Sequence, residues 1–137
     1  MGYEVLWEPR GVVKRFQGHV SRDDMLEPVI RIAADMRFDT LRYVINDLLD
    51  VRSIDFTAAD VTEIAALDMA GSLSNPRIVV AVVATLPAIL ELVPVYAEPG
   101  THGFPTACFA TVAEARHWVA TVPRSGPPSN FGALPPV

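Results

Sequence analysis

The chain has very little of three features: it contains one cysteine, one lysine and no long apolar run. Cys108 is alone among 137 residues, so a disulfide within the chain is excluded and we expect a reducing, cytoplasmic environment and a buried thiol. The longest purely apolar run, Ile78 to Ala84, is far shorter than the ~20 residues of a membrane-spanning helix. The first residues lack the basic segment and apolar core of a secretory leader. These features predict a soluble protein.

Positive charge is also scarce and is not clustered. The chain has 16 acidic and 11 basic residues, a formal net charge of −5, and ten of the basic residues are arginines, with Lys14 as the only lysine. A nucleic-acid-binding surface needs a concentrated basic patch, and none is present. We therefore expect no nucleic-acid partner.

The hydrophobic pattern predicts an α/β domain with the element order ββαβαβαβα. The predicted strands cover residues 3–7, 12–16, 41–49, 77–84 and 107–110. Three predicted helices begin at the caps Ser21, Thr57 and Thr111, and a fourth begins at Thr85. Helical spacing predicts that Met36 of the first helix and Leu67 of the second face the core. Pro28 is expected to kink the first helix or delay its start. Strands that alternate with helices after an opening hairpin predict one mixed, mostly parallel sheet of five strands with helices packed on it.

The composition divides the chain into one domain and a tail. Hydrophobic residues make up 50% of the sequence, enough to fill one core, and the length leaves no room for a second domain. Residues 1–122 form the predicted domain. Residues 123–137 contain five prolines and two glycines, which is typical of a tail without regular structure.

Residues 43–61 contain the most distinctive pattern in the chain. A predicted buried strand is followed by an acidic loop with Asp47, Asp50 and Asp55, and then by a helix capped by Thr57 with Asp60 in its first turn. A hydroxyl and carboxylates beside a helix N-terminus are typical of a site for a partner or a ligand. The alternative interpretation is a helix cap with solvated carboxylates.

The predicted helix from Thr85 to Tyr96 is apolar on more than one face. Such a helix is buried in the core, covered by a second chain in a dimer, or the lid of an apolar pocket. The loop 98–103, with two glycines, could act as its hinge. The residues expected to face the ligand or the interface are Leu86, Ile89, Leu90, Val93 and Tyr96.

Motifs for catalysis or metal binding are missing from the sequence. His19, His102 and His117 are too far apart in sequence for a zinc motif, and neither a serine hydrolase elbow nor a glycine-rich phosphate loop is present. The acidic residues are similar to those of a receiver domain, but the lysine of a receiver lies on its last strand, whereas Lys14 lies on an early strand. We therefore expect no enzyme activity, no cofactor and no metal.

The element order, the segment 43–61 and the strand, capped turn and helix of residues 108–119 resemble the SpoIIAA-like proteins, relatives of the STAS domains of anti-sigma-factor antagonists. The resemblance covers residues 3–120. In the antagonists a strand leads to an aspartate and then to Asp-Ser-Ser-Gly, whose second serine is phosphorylated by a partner kinase. The resemblance aligns Asp55 with the aspartate of Asp-Ser-Ser-Gly and Thr57 with the phosphorylated serine, while Phe56 and Ala58 replace the first serine and the glycine.

Two functional hypotheses follow from the residues and the resemblance. The first is a non-enzymatic STAS-like regulatory domain that contacts a protein partner, or a second copy of itself, through Asp50, Asp55, Thr57 and Asp60, with Thr57 as candidate phosphoacceptor. The alternative is a carrier or sensor for a small apolar or lipid-like molecule beneath the 85–96 helix, with membrane association as a related role. The first requires an exposed Thr57 and a closed core, and the second requires an apolar cavity.

Overall fold

The computed structural model describes residues 2–98 and 103–123, which form five strands and five α-helices. The strands are β1 (Tyr3–Glu8), β2 (Gly11–Val20), β3 (Tyr43–Ile54), β4 (Val79–Val83) and β5 (Thr106–Phe109). The helices are α1 (Arg22–Ala34), α2 (Ala58–Ser74), α3 (Pro87–Leu90), α4 (Val93–Ala97) and α5 (Val112–Thr121), and a 3₁₀ turn (Met36–Thr40) follows α1. No helix in these ranges has the length and apolar character needed to cross a membrane. Most of the expected hinge, 99–102, and the expected tail after Pro123 lie outside the described residues.

The strands form one sheet in the order β1-β2-β3-β4-β5. β1 is antiparallel to β2, and every other neighbouring pair is parallel, so the predicted mixed, mostly parallel sheet is confirmed. The parallel connections all advance in the same direction across the sheet. Because such connections are almost always right-handed, they bring α1, α2 and the α3–α4 pair to the same face.

The sheet separates two cores. The larger core contains Val12, Phe16 and Val80 from the sheet together with side chains from α1, α2 and α3, and the smaller core contains Ile45 and Val79 packed against α5. All five residues of β4 are buried, and they alternate between the two cores. This explains why β4 is continuously apolar, as expected for a central strand covered on both faces.

The predicted helix caps at Ser21, Thr57 and Thr111 are all present. Ser21 and Asp24 form a reciprocal capping box, and Thr111 accepts a hydrogen bond from the backbone N–H of Glu114. The helix α1 begins at Arg22, so Pro28 does not delay its start. Pro28 is itself buried in the core, where its ring contributes apolar contact.

Two expected core residues are on the surface. Met36 lies in the 3₁₀ turn after α1 and is 94% exposed, because α1 ends at Ala34 and the helical spacing does not continue. Leu67 on α2 is also partly exposed, whereas Val61, Ile64 and Ala65 of the same helix are buried as predicted.

The predicted acidic loop after residue 49 is wrong, because β3 continues to Ile54. Both β2 and β3 are longer than their apolar patterns, and their pairing extends to Val20 beside Ile54. Backbone hydrogen bonds between strands do not require apolar side chains, so the exposed ends of the strands carry polar residues. Asp47 and Asp50 therefore lie on a strand, and the loop before α2 contains only residues 55–57.

The predicted single helix from Thr85 to Tyr96 is also wrong, because it is divided into α3 and α4. Glu91 and Leu92 separate the two helices, and Pro94 lies in the first turn of α4 rather than at the end of a longer helix. Proline lacks a backbone N–H and its ring clashes with the carbonyl four residues earlier, so a continuous helix through Pro94 is disfavoured. In the first turn of a new helix the same residue is tolerated.

Close packing at the start of β2 gives a testable prediction. Gly11 is paired with Tyr43, whose hydroxyl donates a hydrogen bond to Glu8, and a Cβ added to Gly11 would overlap the Tyr43 ring. We expect Gly11→Ala to lower the free energy of unfolding by ~1–3 kcal/mol, the usual cost of overpacking, as measured by urea denaturation. In a Tyr43→Ala background, which lacks the ring, Gly11→Ala should lower the free energy of unfolding much less. An equal cost in both backgrounds would contradict this account.

Candidate functional site

Thr57 is exposed and its hydroxyl is engaged in capping α2. The hydroxyl accepts a hydrogen bond from the backbone N–H of Asp60 at 3.4 Å, and the Asp60 carboxylate accepts one from the backbone N–H of Thr57 at 2.8 Å. This reciprocal capping box satisfies two N–H groups that the helix itself leaves without partners. The hydrogen bond from the Thr57 backbone also holds the pKa of Asp60 below its ordinary value of 3.8.

Side chains from the end of β2 and the start of α1 lie beside this cap. His19 contacts Ser53 through Nδ1 at 2.7 Å and Asp55 through Nε2 at 3.2 Å. Arg22 donates to Asp60 at 3.2 Å and to Glu63 at 2.7 Å. We call this set the rim cluster; it consists of His19, Arg22, Ser53, Asp55, Thr57, Asp60 and Glu63.

The sequence interpretation missed His19 and Arg22. Both residues could have been predicted from the parallel pairing of β2 with β3, because this pairing brings the ends of both strands to the same edge of the sheet. At that edge β2 leads into α1 and β3 leads into α2, so the residues at the two strand ends become neighbours.

Two of the predicted carboxylates lie apart from Thr57. Asp50 is exposed on β3 opposite Gln17, and within the described residues no hydrogen bond or ion pair joins it to the rim cluster. Asp47 lies near Arg15, with 3.8 Å between its carboxylate and the guanidinium. The structure therefore brings Asp55, Thr57 and Asp60 together and leaves Asp50 outside.

A cavity of about 410 Å³ lies between α1, α2 and the larger-core face of the sheet. Apolar side chains form most of its wall, and a smaller cavity of about 70 Å³ lies beside it beneath α3 and α4. Both cavities contact the same four polar residues. We call them the buried polar cluster; they are Lys14, Asn46, Asp68 and Tyr96.

Lys14 and Asn46 are paired neighbours on β2 and β3. Lys14 is only 8% exposed, and among the described residues no hydrogen bond or salt bridge within 4.0 Å involves its ammonium group. Burial lowers the pKa of Lys14, and the negative charge of Asp68 opposes that shift. The Oδ1 atom of Asn46 is buried and has no hydrogen-bond partner in the described part of the chain. A buried polar atom without a partner carries a desolvation cost, so these two groups are unusual in a folded core.

Asp68 and Tyr96 connect the helices above this strand pair. The Tyr96 hydroxyl on α4 donates a short hydrogen bond to Asp68 on α2. Burial raises the pKa of Tyr96 well above its ordinary value, and the charge of Asp68 adds to the shift. Tyr96 is therefore neutral at physiological pH and acts as a hydrogen-bond donor.

A signal for Lys14 was present in the sequence. Alternate residues of a strand share a face, so Val12 and Phe16, both fully buried, require Lys14 between them to face the same core. The same rule applies to Asn46, which lies between Val44 and Leu48 on β3. The sequence interpretation did not place Lys14, Asn46 or Asp68 in a site.

The five residues predicted to face an apolar ligand or interface are divided. Ile89, Val93 and Tyr96 line the smaller cavity, and Tyr96 also lines the larger one. Leu86 packs against the larger core, and Leu90 is 41% exposed; neither lines these two cavities. Most of the larger cavity lies between α1 and α2, away from α3.

Metal binding and thiol chemistry gain no support from the described residues. No group of three or more His, Cys, Asp or Glu side chains within residues 2–98 and 103–123 is arranged to hold a metal ion. Cys108 is exposed on β5 rather than buried as expected, because β5 is the edge strand of the sheet. Partial burial raises the pKa of the Cys108 thiol, which disfavours the reactive thiolate.

Comparison with known proteins finds matches among solved structures. The structure of the anti-sigma factor antagonist SpoIIAA in its unphosphorylated form has a TM-score of 0.60 and 13% identity over 88% of this chain and 99% of that chain. The Bacillus cell fate determinant SpoIIAA in the phosphorylated form has a TM-score of 0.52 and 14% identity, over 85% and 98% of the two chains. An uncharacterised Shewanella loihica PV-4 protein with a SpoIIAA-like fold has a TM-score of 0.50 and 12% identity, over 85% and 91%.

These likenesses define the fold of the chain, which is that of SpoIIAA and STAS-like domains. The resemblance predicted from the sequence is confirmed at this level. No protein-family model matches the chain, and no curated protein matches it significantly in sequence. At identities of 12–14% the likeness shows the fold alone, so the function has to be argued from the residues.

The cap at Thr57 gives a prediction about stability. Thr57→Ala removes the hydroxyl that accepts the Asp60 N–H, so we expect the free energy of unfolding to fall by ~1 kcal/mol, and Thr57→Ser should restore most of it. The matched control is Thr62→Ala on the same helix, where Thr62 is exposed and alanine has the higher helix propensity. Urea denaturation of the four proteins tests this. Equal losses at the two positions would contradict a capping role.

The lowered pKa of Asp60 gives a prediction about pH. A carboxyl whose pKa is lower in the folded than in the unfolded protein stabilises the fold above the unfolded value and loses that contribution as the pH falls through the folded value. We therefore expect Asp60→Asn to reduce the loss of stability as the pH falls from neutral to below 3.8, the ordinary value for an aspartate. Urea midpoints measured across this range for both proteins test the sign. The same pH dependence in wild type and variant would show that Asp60 does not contribute.

Proposed function

We propose that this chain is a non-enzymatic, STAS-like regulatory domain that binds a protein partner through the rim cluster. The observation that carries the proposal is the exposed Thr57 cap beside Asp55, at the strand-to-helix position where the resemblance to anti-sigma-factor antagonists aligns the phosphorylated serine. The SpoIIAA fold supports the same class of function, since that protein is described as an anti-sigma factor antagonist. A cytoplasmic location belongs to this proposal.

The charges of the rim cluster suit contact with another protein. The side chains of His19 and Asp55 are 55% and 59% exposed, and those of Arg22 and Glu63 are about half exposed. Exposed ion pairs contribute roughly 0–1 kcal/mol each, so they can exchange their partners for groups on a second protein at little cost. The cluster offers both signs of charge, which favours a partner surface of mixed charge and selects its orientation.

Phosphorylation of Thr57 is the proposed control. A phosphate there would replace the hydroxyl that caps α2 and add about two negative charges beside Asp55 and Asp60. The helix N-terminus and the nearby guanidinium of Arg22 would offset part of the resulting repulsion. Modification would therefore change both the charge and the hydrogen bonding of the proposed contact surface, which is the effect a regulatory switch requires.

Charge reversal at the rim tests the proposal. Asp55→Lys reverses an exposed charge of the cluster, and Asp39→Lys makes the same change in the 3₁₀ turn before β3, at the opposite end of that strand. We expect tagged wild-type and Asp39→Lys proteins to retain the same partner from a lysate of the source cells, and Asp55→Lys to reduce its recovery at least about tenfold, measured by quantitative mass spectrometry. Equal recovery by all three proteins would contradict partner contact at the rim.

A second candidate function is the binding of a small apolar molecule, favoured by the cavity between α1 and α2. Its volume of about 410 Å³ falls within the range of small-molecule sites, roughly 300–1,000 Å³. The expected closed core is not found, so this requirement of the first hypothesis is not met; partner contact at the rim cluster is still compatible with the cavity, because the two occupy different parts of the domain. Contact with a membrane or a second copy of the chain through the partly exposed Leu90 remains a subordinate alternative.

Native mass spectrometry tests the second candidate. We expect freshly purified protein to carry a non-covalent small molecule, or to acquire one from a set of medium-chain amphiphiles, with one molecule per chain. Ala33→Trp places a large ring at the cavity wall, whereas Ala66→Trp makes the same change at an exposed position of α2 that does not line the cavity. Binding that survives Ala33→Trp, or is lost equally in both variants, would contradict a ligand site in this cavity.

A further inference from the structure

We infer that the cavity between α1 and α2 selects an uncharged amphiphile with a hydroxyl head group, held between Lys14 and Asn46, rather than a fatty acid anion. The inference rests on the second candidate function and adds the chemistry of the ligand. It does not depend on the rim cluster. Three features of the cavity lead to it: its entrance, its polar end and the charge already present there.

The entrance and wall of the cavity are apolar. Ile30 on α1 is 57% exposed and Leu67 on α2 is 37% exposed, and both line the cavity. The wall also includes Phe38, Ile78 and Phe104, of which Ile78 and Phe104 are buried. Water alone would leave this apolar surface hydrated, whereas an aliphatic chain would bury it. The body of the expected occupant is therefore apolar.

The polar end of the cavity offers a donor and an acceptor side by side. Lys14 and Asn46 are register partners on adjacent parallel strands, so their side chains emerge on the same face of the sheet. The ammonium group of Lys14 has only donors, and the unpartnered Oδ1 of Asn46 is an acceptor. A hydroxyl group satisfies both at once, since it accepts from Lys14 and donates to Asn46. A carboxylate accepts from Lys14 but has no hydrogen to give to Asn46.

The charge near Lys14 also disfavours an anion. Asp68 lies close enough to interact with Lys14, and it accepts the hydrogen bond from Tyr96 as a carboxylate does. Lys14 and Asp68 together carry no net charge when Lys14 is protonated and one negative charge when it is not. A second carboxylate would therefore add negative charge beside that of Asp68, whereas a neutral hydroxyl adds none.

Isothermal titration of the whole chain with octanol and octanoate at pH 7 tests the head group, because the two probes have the same chain length. We expect octanol to bind with one molecule per chain and at least about tenfold more tightly than octanoate. Tighter or equal binding of octanoate would overturn the inference, since it would make the cavity an anion site led by Lys14.

Asn46→Leu tests the role of the orphan acceptor. Replacing a buried polar group that lacks a partner removes a desolvation cost, so this variant should fold at least as stably as wild type. We expect it to weaken octanol binding about fivefold, the value of one net hydrogen bond, and to leave octanoate binding unchanged, so that the preference for the alcohol shrinks. Octanol binding that is unchanged in Asn46→Leu would overturn the inference.

The Ala33→Trp variant and its control Ala66→Trp separate this inference from the broader proposal. If Ala33→Trp abolishes binding and Ala66→Trp does not, but octanol is not preferred, the head-group inference fails and ligand binding in the cavity stands. If neither probe binds, or if Ala33→Trp has no effect on binding, the head-group inference and the cavity proposal fail together. A preference for octanol that is lost in Ala33→Trp and reduced in Asn46→Leu supports both.

Discussion

Strands β2 and β3 run parallel and are paired from Gly11 beside Tyr43 to Val20 beside Ile54, with register shifts between Arg15 and Gln17 and between Gly18 and His19. At the middle of this pair, the register sets Lys14 beside Asn46 on the face covered by α1 and α2. At the end of the pair, it sets His19 beside Ser53, next to the loop that leads to Thr57. A slip of one residue in either strand would turn Lys14 or Asn46 to the opposite face, so both candidate sites depend on this register.

Lys14 and Asn46, in the middle of this strand pair, reduce the stability of the fold. Val12 and Phe16 flank Lys14 and are fully buried, so an apolar residue at position 14 would complete the same packed surface. Replacing buried ionic groups with well-packed apolar ones is often neutral or stabilising. The charge of Asp68 offsets part of the cost for Lys14, and nothing among the described residues offsets it for Asn46 Oδ1. A molecule that entered the cavity and bonded to these groups would recover part of this free energy on binding.

Much of the fold could be predicted from the sequence, because the signals involved are local. The caps Ser21, Thr57 and Thr111 each accept a hydrogen bond from a backbone N–H of the turn that follows. Because this contact is local, the position of each cap can be predicted without knowledge of the tertiary structure. The ends of β2 and β3 could not be predicted in the same way, since strand pairing continues there through polar residues. The break between α3 and α4 was signalled by Pro94, but proline is compatible with either the end or the start of a helix. Of the candidate sites, Thr57 and Asp60 followed from the capping pattern, whereas the neighbourhood of Lys14, Asn46 and Asp68 required the three-dimensional packing of two strands and a helix.

Helix α2 contributes to both candidate sites, with Thr57 and Asp60 at its N-terminus and Asp68 about two turns after Asp60. Val61, Ile64 and Ala65 pack the first half of α2 against the core, while Leu67, near the middle of the helix, is partly exposed and lines the cavity. If a partner or a phosphate at the N-terminus shifts α2, the distance between Asp68 and Lys14 changes with it, and so does the charge seen by a ligand. Linkage makes any such effect reciprocal, so a ligand that fixes Asp68 would alter partner affinity by the same factor. The shared helix thus provides a physical route by which one small domain could combine partner binding with the detection of a small molecule.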